Sequence, residues 1–251
     1  MKDNHILKNL FSSLKTGDDF DKIEAAFNLS KYGIWDGVDI LIHNLRNKEW
    51  ERRLDAINYL GRLGVFETID ELRIIALNDS MSVLRNEAIY ALQAIGYAKV
   101  IPYIIDALQD GDFERRTDAR TALYRLVGNK ILPLLNPEEE EFIENDYQRE
   151  SSYLRNAGEI KDWWSIKKNS FIEGKTYCFG ELAHPKVLIQ VIENSEPELC
   201  DSYFRQLEDW TGQNFGEPSK KTLNEWKAWC KKSEGSYIEG ERYFYGRKVN
   251  R

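Results

Sequence analysis

The segment RLDAINYLGRLG, from Arg53 to Gly64, decides the fold because three other segments repeat its pattern. They are KIEAAFNLSKYG (22–33), RNEAIYALQAIG (85–96) and RTDARTALYRLVG (116–128). Each opens with a basic residue, has an acidic residue two positions later and then alanine, and closes with glycine. The closing glycines are 31 or 32 residues apart. A period of this length predicts an array of stacked repeats rather than a single globular core.

Each repeat predicts a pair of antiparallel helices. Along the first helix of the second repeat, apolar side chains recur every three residues, at Leu54, Ile57, Leu60 and Leu63. The closing glycine favours the left-handed conformation that ends many helices. A second apolar helix follows each turn, in VDILIHNL, TIDELRIIAL and VIPYIIDAL. The sequence therefore predicts an all-α fold, an α-solenoid of antiparallel helix pairs, over about residues 18–135.

This register resembles HEAT repeats of the short bacterial type that also occurs in phycobilin-lyase-like proteins. The resemblance implies a HEAT-like α-solenoid, an architecture that mostly supplies binding surfaces. We expect about four helix pairs in residues 1–136 and a diverged helical region in residues 137–251. The acidic segment PEEEEFIEND (137–146) marks the change of composition between them.

A ten-residue phrase occurs twice in the second region, as FIEGKTYCFG (171–180) and YIEGERYFYG (237–246). We expect each copy to end a helix, to fold its aromatic rings back onto nearby tryptophans and to cover the exposed end of the solenoid. The predicted aromatic C-terminal cluster is Trp163, Trp164, Tyr177, Trp226, Trp229 and Tyr243. The alternative is that Tyr177, Tyr243 and one tryptophan of each pair present a binding surface.

Between the two copies, residues 185–212 predict a fifth, diverged helix pair. The tryptophans, the two phrases and TGQNFG (211–216) resemble the C-terminal region of bacterial HEAT-repeat proteins from secretion-system or immunity loci. That second resemblance implies an immunity-type or accessory role.

Charge and composition exclude several classes of protein. The chain carries a net charge of −7 and has a pI of about 5.2. This charge argues against a nucleic-acid-binding protein, because such proteins bind mainly by neutralising phosphates. No apolar run approaches the roughly 20 residues of a membrane helix. The three cysteines are widely spaced and match neither a disulfide framework nor a metal motif, so we expect a cytoplasmic protein.

The chain shows no catalytic signature. It has no HExxH, no GxSxG and no glycine-rich phosphate loop, and its three histidines are isolated from one another. We therefore predict a protein that is not an enzyme and that needs neither a metal nor a cofactor. Two alternatives come from relatives of the fold: a phycobilin-lyase-like accessory acting on a cofactor-bearing protein, and a HEAT-like DNA glycosylase.

The predicted partner-binding residues lie on the first helix of each repeat, off its apolar face. They are Asn58, Arg62, Tyr90, Gln93, Arg120 and Arg125. The predicted function is a non-catalytic scaffold, adaptor or immunity-type protein that binds another protein along the solenoid. The acidic net charge favours a basic partner.

The basic residue that opens each repeat favours a structural ladder, and the alternative is a row of basic side chains that binds an acidic partner. We expect these residues to pair with acidic residues of neighbouring repeats, such as Asp55, Glu87 and Asp118, and to align the stack. The residues concerned are Lys22, Arg53, Arg85 and Arg116.

Overall fold

The computed structural model describes residues 2–131 and 146–250. The first range forms α1 (Lys2–Thr16), α2 (Asp19–Lys31), α3 (Val38–Asn44), α4 (Trp50–Leu63), α5 (Ile69–Asn78), α6 (Ser82–Ile95), α7 (Ile101–Ala107) and α8 (Phe113–Ile131). The second forms α9 (Asp146–Lys167), α10 (Pro185–Glu193), α11 (Asp201–Thr211) and α12 (Lys220–Lys232). Two short antiparallel hairpins complete it, β1 (Tyr177–Cys178) with β2 (Glu181–Leu182) and β3 (Tyr243–Phe244) with β4 (Arg247–Lys248).

The first half is the predicted α-solenoid. The first helices of the repeats, α2, α4, α6 and α8, pack side by side, and α3, α5 and α7 pack against the helix that follows each of them. The closing glycines all have positive φ, of 78° at Gly33, 74° at Gly64, 80° at Gly96 and 61° at Gly128, and Gly64 and Gly96 are left-handed helix caps. The predicted helix pairs are therefore confirmed, and so is the role of glycine in ending them.

Small residues allow the repeat helices to approach each other closely. A Cβ added to Gly61 on α4 would lie 2.6 Å from Cα of Ala91 on α6. The alanine that follows the acidic residue of each repeat is buried, at Ala25, Ala56, Ala88 and Ala119. Larger side chains at these positions would push the stacked helices apart.

The apolar side chains form two cores. The larger fills the repeat array, and the C-terminal hairpin contributes to it through Phe244, which is fully buried. The smaller core lies among α10, α11 and α12 and includes Leu188, Leu207 and Trp226. Helices α10 and α11, where the sequence predicts a fifth pair, pack against each other, and α10 also packs against α12. The predicted boundary at residues 136 and 137, with most of the acidic segment, lies outside the described residues.

The repeated arginines align the stack, but through backbone carbonyls as well as carboxylates. Arg53 donates from Nη1 to the carbonyl of Asn47 at 2.9 Å, and Arg85 makes the equivalent bond to Asp79 at 2.8 Å. Each also reaches a carboxylate in the turn of the next repeat: Asp79 lies 3.5 Å from Arg53, and Asp112 lies 3.7 Å from Arg85. These bonds tie the turn before each repeat helix to that helix and to the following turn.

The arginines thus pair with acidic residues of a neighbouring repeat, as predicted, but the residues named for this role, Asp55, Glu87 and Asp118, make other contacts. Glu87 accepts a hydrogen bond from the Asn58 side chain at 2.8 Å, and Asp118 accepts one from the Tyr90 hydroxyl at 2.6 Å. Asp55 lies 3.9 Å from Arg52 of its own helix. The acidic position contacts side chains of the repeat helices, whereas the arginine reaches the turns.

Candidate functional site: an arginine-lined groove

The two copies of the ten-residue phrase form hairpins with the same geometry. Their two-residue turns are Phe179–Gly180 and Tyr245–Gly246, with φ of 50° and 81° in the first and 47° and 74° in the second. Positive φ at both central residues is the requirement of a turn that matches the twist of a hairpin. An aromatic residue in this region is strained, so other contacts must stabilise each turn.

Those contacts are hydrogen bonds to helix C-termini. In the first hairpin, Phe179 N–H donates to the carbonyl of Arg125 at 2.7 Å and Gly180 N–H to that of Leu126 at 2.8 Å. These carbonyls belong to the last turn of the regular part of α8, before the break at Gly128. The hairpin therefore satisfies acceptors that a helix end leaves without partners.

The second hairpin donates hydrogen bonds to the C-terminus of α11 in the same way. Tyr245 N–H donates to the carbonyl of Asp209 at 2.6 Å, and Gly246 N–H donates to that of Trp210 at 2.9 Å. The two hairpins also bind each other, because Thr176 N–H donates to the carbonyl of Gly240 at 2.9 Å. Each copy of the repeated phrase thus supplies hydrogen-bond donors to the C-terminus of one helix.

The aromatic rings fold back as the sequence predicts. Phe171 contacts Trp164 at a centroid distance of 5.3 Å and Tyr177 at 4.7 Å. Tyr237 contacts Trp229 at 5.7 Å and Tyr243 at 4.8 Å. Tyr177 and Tyr243 also accept hydrogen bonds at their hydroxyls from the N–H groups of Ile172 (2.7 Å) and Ile238 (3.0 Å), respectively. Trp163 contacts Trp164, and Trp226 is buried against Trp229.

The hairpins do not cover the end of the solenoid, so that expectation was wrong. They lie along its edge, over the row of closing glycines: Arg247 at Gly33, Arg242 at Gly64, Thr176 at Gly96 and Phe179 at Gly128. The physical reason is that the helix C-termini collect along this edge, and their carbonyls need donors.

This arrangement brings α11 close to the repeat helices and leaves a groove between them. The groove has a volume of about 350 Å³ and is bordered by α4, α6, α8 and α11. Five of the six predicted partner-binding residues line it: Asn58, Arg62, Tyr90, Gln93 and Arg125. Arg120 does not. We call this cavity the arginine groove.

The other wall comes from residues that the sequence analysis did not select. They are Ser202, Arg205, Gln206, Asp209, Trp210 and Arg242. A signal for Arg242 exists in the sequence, since the two phrases match closely but Arg242 stands where the first copy has Thr176. The approach of α11 to α4 has no local signal, because it depends on contacts between residues far apart in the chain.

Arg62 and Asp209 fasten α11 to α4. Nε and Nη2 of Arg62 donate to the two carboxylate oxygens of Asp209, both at 2.8 Å. Burial alone would lower the pKa of Arg62, but the bidentate bond and charge of Asp209 outweigh it and raise that pKa. On its other side the guanidinium carbon lies 4.6 Å from the ring centre of Phe27. Both donors that face Asp209 are therefore occupied.

Arg242 is a buried cation that bonds to no carboxylate among the residues that the structure describes. Its side chain is 4% exposed, and Nη2 donates to the carbonyls of Gly61 and Arg62 at the end of α4. Nε and Nη1 are buried and have no hydrogen-bond partner. Burial lowers the pKa of Arg242 to about 10, so the group stays charged at neutral pH. The guanidinium carbon lies 5.7 Å from the ring centre of Trp210.

The groove is positive although the protein is acidic. Its lining holds four guanidinium groups and two carboxylates, a net of +2 (4 − 2), whereas the chain carries −7. Arg205 is exposed at the groove, and Arg125 makes one long hydrogen bond there, to Ser202 Oγ at 3.4 Å. Such a lining attracts an anionic group.

No group of three or more His, Cys, Asp or Glu side chains among the described residues is placed to hold a metal ion. Burial raises the pKa of the Cys178 thiol to about 12, so it is not a nucleophile at neutral pH. In the part of the chain that is described, no helix has the length and apolar character needed to cross a membrane.

A second cavity, of about 440 Å³, lies where the aromatic cluster meets α7. Trp164 of the predicted cluster lines it together with Phe171, and the repeat side contributes Phe66, Tyr97 and Tyr103. Lys99 and Lys168 stand at its margin. Five aromatic side chains line this cavity, whereas the arginine groove has two, Tyr90 and Trp210.

Comparison with known proteins supports the repeat architecture. A family model described as HEAT repeats matches residues 7–93 and, in a second placement, residues 38–124. Among solved structures, an engineered protein is 18% identical, with 80% of this chain and 95% of that chain covered and a TM-score of 0.38. No curated protein matches the chain. The matched residues are therefore similar to HEAT repeats, and they include the repeat side of the groove except for Arg125.

Proposed function

We propose that the protein is a non-catalytic binding protein and that its partner, another protein, docks in the arginine groove. HEAT repeats generally mediate protein–protein interaction. The observation that carries the proposal is the convergence of Asn58, Arg62, Tyr90, Gln93 and Arg125 on one cavity. These positions differ between repeats, and arginine and tyrosine are enriched where proteins bind one another.

Within this class we propose an adaptor, accessory or immunity-type role, which the resemblance of the C-terminal region supports.

The charge distribution indicates what kind of protein the partner is. The net charge of −7 favours a partner that is basic as a whole, because opposite charges speed the encounter. The net charge of +2 on the groove lining favours an acidic segment at the contact itself.

The test is a pull-down that compares two matched charge reversals. Arg205→Glu changes an exposed side chain in the groove, and Lys231→Glu makes the same change on the exposed surface of α12, outside the groove lining. We expect the wild type and Lys231→Glu to retain one stoichiometric partner and Arg205→Glu to lose it. Equal retention by Arg205→Glu, or equal loss from both variants, would contradict docking in the groove.

A second candidate is an accessory that acts on a cofactor-bearing protein, as the phycobilin-lyase-like resemblance implies. The observation that favours it is the aromatic cavity between Trp164, Phe171 and the repeat helices, because a flat conjugated ligand stacks on aromatic rings. Titration with biliverdin or haem, followed by visible absorbance, tests it. A saturable spectral change that Trp164→Ala abolishes supports this function, and an unchanged spectrum rejects it.

A further inference from the structure

We propose that the arginine groove recognises a cluster of oxyanions, and that its occupant is an acidic peptide segment of the partner protein. Carboxylate or phosphate oxygens of that segment bind Arg125 and Arg205 in front of the buried Arg242. This inference rests on the proposed docking function and adds the chemistry of the group that is bound.

The first support is the buried charge of Arg242. Moving a cation out of water is unfavourable unless an opposite charge and hydrogen bonds compensate. The carbonyls at the end of α4 supply part of this compensation, but Nε and Nη1 of Arg242 keep no partner. An anion in the groove lies in the positive field of this group, which the surrounding protein screens less than water would.

The second support is the presence of donors within reach of a ligand. Arg205 is exposed and has no ion pair or hydrogen bond with the rest of the described chain. Arg125 stacks its guanidinium 5.2 Å from the ring centre of Tyr203, and its Nη2 makes a long hydrogen bond of 3.4 Å to Ser202 Oγ. A guanidinium fork binds carboxylate and phosphate oxygens in a bidentate manner. Both arginines therefore offer free donors at the mouth of the groove.

The acidic residues of the groove do not neutralise these donors. Asp209 binds Arg62 with both oxygens, and Glu87 accepts the Asn58 side chain. The excess positive charge of the lining thus remains for a ligand.

The neutral polar residues favour a peptide as the carrier of the oxyanions. The amide side chains of Asn58, Gln93 and Gln206 line the groove, and an amide has both a donor and an acceptor that match the peptide group. A nucleic acid is disfavoured as the ligand, because a long polyanion would extend beyond the groove and be repelled by a protein whose net charge is −7. A short acidic segment is repelled less, since salt screens charges beyond about 8–10 Å.

The test is a titration followed by fluorescence anisotropy, with a fluorescein-labelled hexaglutamate peptide and a labelled peptide that carries one phosphoserine. We expect at least one to bind at about 50 mM salt and to bind at least tenfold more weakly at about 300 mM. Inorganic phosphate should compete with either. The tighter of the two peptides identifies carboxylate or phosphate as the preferred source of the oxyanion.

Three full-length variants show whether the peptides bind in the arginine groove. We expect Arg205→Gln and Arg125→Gln each to weaken peptide binding at least tenfold, and Lys231→Gln, which removes the same charge outside the groove, to bind like the wild type. Circular dichroism checks that the variants are folded, which Arg205→Gln should be because its side chain is exposed. Failure of both peptides to bind at about 50 mM salt, or wild-type binding by Arg205→Gln, would overturn the inference.

The outcome can be separated from that of the docking proposal. If Arg205→Glu loses the partner in the pull-down while neither peptide binds the wild type, the groove is a docking site but does not select oxyanions. If the peptides bind through Arg125 and Arg205 while the partner remains with Arg205→Glu, the oxyanion site stands and docking of that partner in the groove is wrong.

Discussion

The substitution Gly64→Ala tests how the C-terminal hairpin attaches to the repeats. Gly64 ends α4 with φ of 74°, and an added Cβ would lie 2.1 Å from Nε and 2.8 Å from Cγ of Arg242. The new methyl group therefore strains the backbone and displaces Arg242 from the end of the helix. Both effects destabilise the folded protein.

The expected loss of stability follows from these two effects. Alanine in the left-handed conformation costs about 1–2 kcal/mol. Loss of the hydrogen bonds from the Arg242 guanidinium to the carbonyls at the end of α4 costs a further ~1.5–3 kcal/mol, and the lower entropy of the unfolded alanine chain offsets about 0.4–1 kcal/mol. We expect a net decrease of about 2–4 kcal/mol, which for a chain of this size lowers Tm by roughly 5–15 °C.

Substitutions at two other glycines separate the cost of backbone strain from the cost of displacing Arg242. Gly174 has φ of 73° but nothing within 4 Å of an added Cβ, so Gly174→Ala measures backbone strain alone. Gly111 has neither positive φ nor a close neighbour, so Gly111→Ala measures the effect of alanine itself. Urea unfolding followed by tryptophan fluorescence suits this comparison, since the chain has seven tryptophans.

The relative stabilities of the three variants show whether Arg242 docks on Gly64. We expect Gly111→Ala to match or exceed the wild type, Gly174→Ala to lose about 1 kcal/mol, and Gly64→Ala to lose at least ~1 kcal/mol more than Gly174→Ala. If Gly64→Ala and Gly174→Ala unfold within about 0.5 kcal/mol of each other, Arg242 does not dock on Gly64 as the structure has it.

Three further predictions concern single contacts. In a double-mutant cycle of Arg62→Ala and Asp209→Ala, urea unfolding should give a coupling energy of about 2–3 kcal/mol, because the bidentate ion pair is largely shielded from water. A coupling energy below ~0.5 kcal/mol would show that the two side chains do not form this ion pair. Tyr177→Phe should lower stability by about 1 kcal/mol through loss of the acceptor for Ile172 N–H, and an unchanged midpoint would count against that bond. Relative to Cys178→Ala, the wild type should lose stability as pH rises above about 8.5, by ~1.5–2 kcal/mol at pH 10, because the unfolded chain releases the thiol proton that the folded chain keeps. A constant difference in stability would contradict the raised pKa of Cys178.

The repeat fold could be predicted because its determinants are local. The Arg53–Gly64 segment and its counterparts encode a helix, its buried face and its left-handed end within a dozen residues. The same is true of the repeated phrase, whose rings meet tryptophans only about eight residues before them. Contacts of this kind need no knowledge of the rest of the chain.

The site was half predictable for the same reason. Asn58 and Tyr90 stand at equivalent positions of consecutive repeats, so the stacking alone brings them to one face. Asp209 meets Arg62 across 147 residues of sequence, and Arg242 reaches the carbonyl of Arg62 across 180. No pattern within either segment specifies such a distant contact. The position of the hairpins was missed because the helix C-termini, not the solenoid end, supply their acceptors.

Photo-crosslinking from the groove tests the central claim most directly. A benzoylphenylalanine at position 205 faces the arginine groove, and the same residue at position 231 faces solvent on α12. Irradiation in native lysate should give one dominant protein adduct from position 205 and none from position 231, and an excess of the peptide that binds the groove should suppress it. Equal adducts from both positions, or an adduct from position 231 alone, would contradict the account.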